Sequence, residues 1–174
     1  MVHHTVYTRR VYKHCKDKES RGKDRVRQTF ELCTSTDTKN LTMISDFVTS
    51  VAEKLGLGDN VTFALQMAVD EACANVMEHA YGGRTNGTLR IALQPEGAEV
   101  VVTIRDHGRP FDPQAVARPD PTSPLEKRGE GALGLYLIEQ LMDSVEFRFD
   151  AVEGNTLTMQ KRFRRGEQTV PSEC

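Results

Sequence analysis

Two polar side chains in the segment VDEACANVMEHAYGG are spaced so that they could act on one ligand. Glu71 and Asn75 stand four positions apart, and in a helix such residues project side by side. A carboxylate and an amide oxygen suit a hard cation such as Mg²⁺, which keeps several of its waters. The carboxylate could also accept a proton from an attacking hydroxyl or water. The pair is equally compatible with a polar helix flank that makes ordinary hydrogen bonds.

A second polar group follows a strand-like alternation. Asp106 comes directly after the segment EVVVTIR, in which apolar residues alternate, and Gly108 and Pro110 follow it. An Asp at a strand end can accept a hydrogen bond from an exocyclic amine, and a glycine lets the backbone come close to a flat ring. Asp and Gly are also common turn residues, so a simple turn is the alternative.

A third group is the glycine-rich segment RGEGALGLYLI. Gly129, Gly131 and Gly134 lie before or within the first turn of a predicted helix. Free N–H groups and the helix dipole at such a place favour phosphate. The segment is neither a Walker A nor a Rossmann sequence, because no Lys-Ser/Thr follows and no strand opens directly into it. A flexible loop leading into a helix is the alternative.

The elements that must position these groups follow from the apolar periodicity. The pattern predicts a strand at TFELC, a helix ending at Gly56, and a second helix carrying the Glu-Asn pair. Two strands joined by a QPEGA hairpin come next. A proline-rich irregular stretch from Asp106 to Gly131, typical of a lid or binding loop, precedes a third helix and two final strands. Short turns between consecutive strands predict an α+β two-layer sandwich, a mostly antiparallel sheet with helices on one face.

The 174-residue chain has the length of one domain with additional segments. Residues 1–27 hold nine Lys or Arg against three Asp or Glu and have almost no apolar pattern. We expect them to form a disordered basic arm, residues 28–164 to form the domain, and residues 165–174 to be a loose tail. A basic arm alone does not indicate nucleic-acid binding, and none is expected.

Several classes of protein are disfavoured by the composition. No apolar run approaches the roughly 20 residues of a membrane span, and the N-terminus does not resemble a secretory signal. We therefore expect a cytoplasmic protein without membrane contact. The four cysteines are scattered without CxxC pairing, which argues against a disulfide framework and a structural zinc site. Cys73 lies in an apolar helical pattern and is expected to be a small buried hydrophobe.

In this order and at these spacings, the three polar groups resemble the N, G1 and G2 boxes of the GHKL ATPases. The resemblance is closest to the anti-sigma-factor serine kinases of the RsbW and SpoIIAB type. The chain's DEACANVMEHAY is similar to their E-x-x-x-N helix, and DHGRPFDP to their D-x-G-x-P-F signature. PLEKRGEGALGLYLIEQLMDSVEF resembles their glycine-rich lid with its following helix, and GNTLTMQKR their closing strand. The resemblance covers roughly Phe30 to Arg162 and implies a Bergerat-type fold.

The resemblance also implies roles for individual residues. Asn75 would hold the Mg²⁺ that bridges the phosphates of ATP, and Glu71 would be the general base. Asp106 would accept a hydrogen bond from the adenine amino group, with Gly108 closing on the ring. Gly131, Leu133 and Gly134 would form the lid and the turn that contacts the phosphates. Thr158, on the last strand, would lie behind the adenine.

The function implied by the resemblance is that of a serine/threonine-protein kinase. Such a protein phosphorylates a serine of a STAS-domain anti-anti-sigma partner and sequesters a sigma factor, usually as a homodimer, so that partner switching controls transcription. Two departures leave open a non-catalytic ATP-binding switch of the same fold. Ala132 stands where many relatives have glycine, and Glu130 lies nearer the lid glycines than Arg128, although some relatives carry an arginine there.

Two other classes remain as weaker alternatives. The ATPase half of a sensor histidine kinase would follow a dimerisation helix pair with a phospho-acceptor histidine, whereas the N-terminal histidines here lie in the unpatterned arm. A metal hydrolase could use Glu71, Glu78 and His79, but no second cluster of ligands is visible. Glu78 and His79 are expected to cap or flank the helix end.

Overall fold

A computed structural model describes residues 9–13, 27–110 and 130–163. These residues form six strands and three α-helices in two layers. The strands are β1 (Arg9–Lys13), β2 (Arg27–Ser35), β3 (Thr88–Glu96), β4 (Glu99–Asp106), β5 (Ser144–Asp150) and β6 (Gly154–Arg162). The helices are α1 (Leu41–Leu55), α2 (Asp59–Asn75) and α3 (Glu130–Leu141), with a 3-10 turn at Thr38–Asn40 and a π-helical turn at Val76–Ala80.

The six strands form one sheet in the order β1-β2-β3-β4-β6-β5, and every neighbouring pair is antiparallel. The predicted hairpin of β3 and β4 is present, with Ile91 opposite Ile104. On the other side of β4, Ile104 lies opposite Leu157 of β6. The predicted α+β sandwich with a mostly antiparallel sheet is therefore confirmed.

The core lies between one face of the sheet and the apolar stripes of the helices. Alternate residues of the central strands are buried, as the period of two requires. Each fully buried Leu or Ile side chain stabilises the fold by about 1.5–3 kcal/mol relative to exposure. The most deeply buried side chains from both layers include Leu32, Leu89, Ile91, Leu93, Ile104 and Met159 on strands, and Ile44, Val48, Val51 and Leu65 on helices.

The ends of α1 and α2 have distinct local structures. Gly56 caps α1 with φ of 65° in the left-handed region, and its N–H donates to the carbonyl oxygens of Ala52 and Glu53. This is the C-cap that the sequence predicts. Helix α2 continues into the π-helical turn, which ends at Ala80 and has Tyr81 as its C-cap. Turns of this kind are rare and often lie at functional sites.

Strand β1 lies within the region that the sequence assigns to a disordered arm. Its five residues pair antiparallel with β2, from Arg9 opposite Glu31 to Lys13 opposite Arg27. The structure differs from the prediction at these five residues. Strand pairing depends on main-chain hydrogen bonds, so a segment without a clear apolar alternation can still extend a sheet at its edge.

Several predicted segments lie outside the described residues. They are the rest of the N-terminal arm, most of the proline-rich stretch (residues 111–129) and the tail from residue 164. Within the ranges that the structure describes, no helix combines the length and the apolarity needed to cross a membrane.

Candidate functional site

Two polar residues of the predicted site, Asn75 and Asp106, line a pocket between α2, α3 and the strands β4, β5 and β6. Apolar side chains form most of its wall, and a few polar groups converge on it, which is the common form of a small-molecule site. The apolar residues are Ala72, Val76, Ala80, Leu135, Ile138, Phe147, Phe149 and Leu157. The polar residues are Asn75, Asp106, Arg109, Asn155 and Thr156.

Asp106 is the strongest candidate for recognising a ligand in this pocket. It ends β4 at an inward-facing position and is only 5% exposed. Its Oδ1 accepts two hydrogen bonds, from the Gly108 N–H at 2.7 Å and from Nδ2 of Asn155 at 2.9 Å. Both bonds end on the same oxygen. Among the described residues no hydrogen bond goes to Oδ2, so this oxygen can accept one from a ligand.

Asn155 is a site residue that the sequence analysis missed. It lies directly opposite Asp106 in the β4–β6 register and is buried. Besides holding Asp106, its Nδ2 donates to the Gly108 carbonyl oxygen at 3.1 Å. Buried polar groups need such partners. The sequence does contain one indication of its burial. Asn155 stands two and four positions before Leu157 and Met159, so it shares their inward-facing side of β6.

Gly108 is required by a close contact with protein. A Cβ at this position would stand 2.7 Å from Cβ of Ala80 and 2.9 Å from Cε2 of Tyr81. The loop after β4 can therefore approach the π-helical turn only without a side chain here. Two hydrogen bonds fasten the loop to that turn. The Arg109 N–H donates to the Ala80 carbonyl oxygen at 3.0 Å, and the His107 N–H donates to the Tyr81 hydroxyl at 3.0 Å.

Glu71 and Asn75 lie on adjacent turns of α2, as predicted, but only Asn75 lines the pocket. Nδ2 of Asn75 is 3.5 Å from Oε1 of Glu71, which is long for a hydrogen bond. The Glu71 carboxylate lies instead against Gly134. A Cβ on Gly134 would overlap this carboxylate and would stand 2.7 Å from its Cδ.

The predicted lid residues Gly131, Leu133 and Gly134 all lie in the beginning of α3. Leu135 and Ile138, which follow on the same helix, line the pocket. The contact between Gly134 and Glu71 places the start of α3 beside α2. The dipole of α3 favours an anion at this end of the helix. Gly129 lies outside the described residues.

The structure does not bring Thr158 to the pocket. Thr158 alternates with Leu157 and Met159, which are buried on the helix-facing side of β6. Its side chain therefore belongs to the opposite face of the sheet, where its cross-strand neighbours are Thr103 and Glu146. The predicted place of Thr158 behind an adenine ring is not supported by this geometry.

The pocket fits the purine end of a nucleotide in its chemistry. The free oxygen of Asp106 matches an exocyclic amine, and the apolar wall matches a flat ring. The stacked rings of Phe147 and Phe149, whose centroids are 6.4 Å apart, form part of that wall. Amide and carboxylate oxygens, such as those of Asn75 and Glu71, are of the kind that Mg²⁺ uses together with waters and phosphates.

The metal-hydrolase alternative finds no support in the part of the chain that the structure describes. There, no group of three or more His, Cys, Asp or Glu side chains is arranged to hold a metal ion. Glu78 and His79 are exposed on the π-helical turn.

A carboxylate next to Glu71 in sequence lies away from the pocket. Burial raises the pKa of Asp70, an effect that a hydrogen bond with Ser45 partly opposes. Oδ1 of Asp70 is buried without a hydrogen-bond partner. Cys73 is fully buried, as predicted, and burial raises the pKa of its thiol, with a smaller contribution from the charge of Asp70. A thiol in this state is a packing residue and not a nucleophile.

The antiparallel sheet covered by helices defines an α+β sandwich, and one pocket of it is lined by both a buried carboxylate at a strand end and a helical asparagine. Comparison with known families agrees with this class, because the model of the histidine kinase-like ATPase domain matches residues 34–161.

Individual relatives narrow the family further. A serine-protein kinase RsbW from Halalkalibacterium halodurans is 34% identical over 145 residues, which are 80% of this chain and 86% of that protein. The RsbW of Bacillus subtilis is 34% identical over 125 residues, 70% of this chain and 76% of that protein. The chain belongs to the family of the RsbW serine-protein kinases, within the histidine kinase-like ATPases. The family predicted from the sequence is therefore confirmed.

A solved structure shares the fold. The RsbU and RsbW domains of a Mycobacterium tuberculosis protein align with 78% of this chain at a TM-score of 0.57 and 16% sequence identity. The chain spans about a third of that structure's length, 32%. At this identity the likeness shows the architecture alone.

Proposed function

We propose that this protein is an ATP-dependent serine-protein kinase. It would transfer the γ-phosphate of ATP to a serine of a STAS-domain anti-anti-sigma protein and would also sequester a sigma factor, acting as a homodimer. One observation carries the proposal. A single pocket brings the anchored carboxylate of Asp106 together with the amide of Asn75, and Glu71 lies one helical turn before that amide.

The proposed role of Asp106 is to orient the nucleotide. Its Oδ2 accepts a hydrogen bond from the adenine amino group, while Oδ1 stays fixed by Gly108 and Asn155. Rotation of the carboxylate would break both bonds, so its orientation is fixed before the ligand binds. The amino group can then bind to Oδ2 without any movement of Asp106. The apolar wall beside it excludes water from the ring.

The proposed role of Glu71 is that of the general base. Phosphoryl transfer depends mainly on positioning and on neutralising the phosphate charge, which Mg²⁺ supplies when it is bound. Asn75 would hold that ion through its amide oxygen. Glu71 accepts the proton of the serine hydroxyl while the serine oxygen bonds to the γ-phosphorus and ADP leaves. The lid and phosphate contacts are assigned to Gly131, Leu133 and Gly134 at the start of α3.

A second candidate is a switch that binds ATP without transferring phosphate. The contact between Gly134 and the Glu71 carboxylate favours it, because the start of α3 covers the proposed base. In this version ATP would set the affinity for a partner and Glu71 would have no part in chemistry.

The nucleotide site is tested by calorimetric titration of ATP and ADP, with and without Mg²⁺, into the wild type and Asp106→Asn. We expect saturable binding that tightens with Mg²⁺ and weakens sharply in the variant, since an amide placed at Oδ2 cannot accept in the same way. Folded wild-type protein that binds no nucleotide would contradict the proposal.

The kinase and the switch are separated by Glu71→Gln. Radioactive γ-phosphate is followed from ATP into a STAS-domain protein of the same organism. A kinase should lose about 10²–10⁴ in transfer rate in the variant while ATP affinity is kept. Tight ATP binding by the wild type without transfer, and equal behaviour of the variant, would support the switch.

A further inference from the structure

A second pocket, next to the proposed nucleotide site, is lined by basic side chains. It is an open pocket of about 630 Å³ between the segment after the π-helical turn and the loop after β4. Arg84, His107 and Arg109 line it, together with the polar side chains of Asn86 and Thr88. None of its ten lining residues is acidic. The two pockets share Ala80 and Arg109.

Arg84, Arg109 and His107 are held around one turn. Nε of Arg84 donates to the Tyr81 carbonyl oxygen at 3.0 Å, which leaves the other guanidinium N–H groups for a ligand. Nη2 of Arg109 lies beside Gly82, 3.7 Å from the position that a Cβ there would occupy. His107 is tied to the same turn through its backbone N–H and the Tyr81 hydroxyl. The three residues therefore lie together because hydrogen bonds fasten each of them to the chain at Ala80 or Tyr81.

This concentration of positive charge contrasts with the net negative charge of the chain around it. Residues 29–174 carry a net charge of −8, since residues 1–28 contribute +6 to the total of −2. In the described part of the chain, neither Arg84 nor Arg109 forms an ion pair. Guanidinium groups repel one another, and their planar forks match carboxylate and phosphate oxygens with two hydrogen bonds. Such a pocket is complementary to an oxyanion.

We propose that this pocket is a docking subsite for an acidic segment of the protein acceptor, whose side-chain carboxylate lies between Arg84 and Arg109. The inference rests on the proposed kinase function. A carboxylate bound here would place the acceptor chain next to the nucleotide pocket, because Arg109 lines both. Charge complementarity selects the partner, and the open mouth of the pocket admits a polypeptide.

The first test measures transfer by Arg84→Glu, with Arg90→Glu as the matched control. Arg90 is exposed on β3, lies outside both pockets, and gives the same change in net charge. We expect Arg84→Glu to raise the KM for the acceptor protein at least tenfold while kcat and the ATP dissociation constant stay within about twofold. Asn86→Asp, which adds one negative charge to the pocket without removing an arginine, should raise KM in the same direction. Equal KM values for Arg84→Glu and Arg90→Glu would overturn the proposal.

A second test does not depend on kinase activity, so failure of the proposed function and failure of the docking subsite are distinguishable. A hexaglutamate peptide, inorganic phosphate and ATP are titrated separately into ¹⁵N-labelled protein, and the amide signals of residues 81–88 and 107–109 are followed. The peptide should shift these signals in the wild type and in Arg90→Glu but not in Arg84→Glu. If the peptide has no effect, or if ATP alone occupies the pocket and excludes it, the subsite does not hold an acidic acceptor segment.

Discussion

The carboxylate of Glu71 lies against the backbone of Gly134, at the point where α3 begins beside α2. The contact is possible only because Gly134 has no side chain. The proposed base therefore depends on a glycine of another helix for its position, and not only on its own helical spacing to Asn75. This relationship gives Gly134 a role apart from any contact with phosphate.

Gly134→Ala tests this dependence. The new Cβ would overlap the carboxylate, so Glu71 must turn away or α3 must shift. A displacement of about 1 Å at a reacting group can cost on the order of 100-fold in rate. We expect kcat for transfer to fall by about that factor, with a smaller change in ATP affinity by calorimetry.

The control for this variant is Glu139→Ala, on the exposed side of the same helix. It should keep the wild-type kcat, because it changes neither the start of α3 nor the contact with Glu71. A normal kcat in Gly134→Ala would show that Glu71 does not require this glycine.

Asn155→Ala tests the anchoring of Asp106. Removing the amide takes one of the two hydrogen bonds from Oδ1 and leaves a buried carboxylate partly unpaired. Loss of such a partner costs about 1–3 kcal/mol. We expect a lower free energy of unfolding in urea and weaker ATP binding by calorimetry.

Thr158→Ala is the matched control on the same strand. Its side chain lies on the other face of the sheet, so ATP affinity should be unchanged. If Thr158→Ala weakens ATP binding as much as Asn155→Ala does, the assignment of the two faces of β6 to site and surface is wrong.

The order of elements could be predicted from the sequence because each has a clear period. The positions of Glu71 and Asn75 one helical turn apart, and of Asp106 at a strand end, could be predicted because these polar residues interrupt the apolar pattern. Asn155 could not be found from a motif, since its role depends on which residue lies opposite it across β4 and β6. Thr158 is not among the residues that line the pocket, whereas Asn155, Thr156 and Leu157 of the same strand are.

Contacts between elements distant in sequence were beyond prediction. The packing of Gly108 against Ala80 and Tyr81 depends on how the loop after β4 lies on the π-helical turn, which the sequence does not give. The Glu71–Gly134 contact likewise needs the relative placement of α2 and α3, which periodicity does not give. Strand β1 was missed because its pairing is made by main-chain atoms and leaves little trace in the apolar pattern.

We expect Tyr81 to stabilise the conformation of the loop that carries Gly108. Its ring lies between two glycines, and its hydroxyl accepts the His107 N–H. Tyr81→Phe removes only the hydroxyl and should lower the free energy of unfolding by about 0.5–1.5 kcal/mol. Gly87→Ala, whose Cβ would stand 2.5 Å from Cζ of the ring, should cost about 1–3 kcal/mol by overpacking. Urea unfolding should show a larger loss of unfolding free energy in Gly87→Ala than in Tyr81→Phe. The reverse order would contradict the prediction.

Asp70 should make the stability of the fold depend on pH. Burial raises its pKa in the folded state above the ordinary value near 3.8, so the folded protein keeps this proton at pH values where the unfolded chain has lost it. The contribution of Asp70 to the free energy of unfolding therefore falls as pH rises from about 4 through the folded-state pKa, and then stays constant. The amide of Asp70→Asn does not titrate. Urea unfolding of both proteins at a series of pH values should give a difference in stability that changes across this window in favour of the variant. A difference that is the same at every pH would mean that the Asp70 carboxyl titrates alike in the folded and unfolded chain.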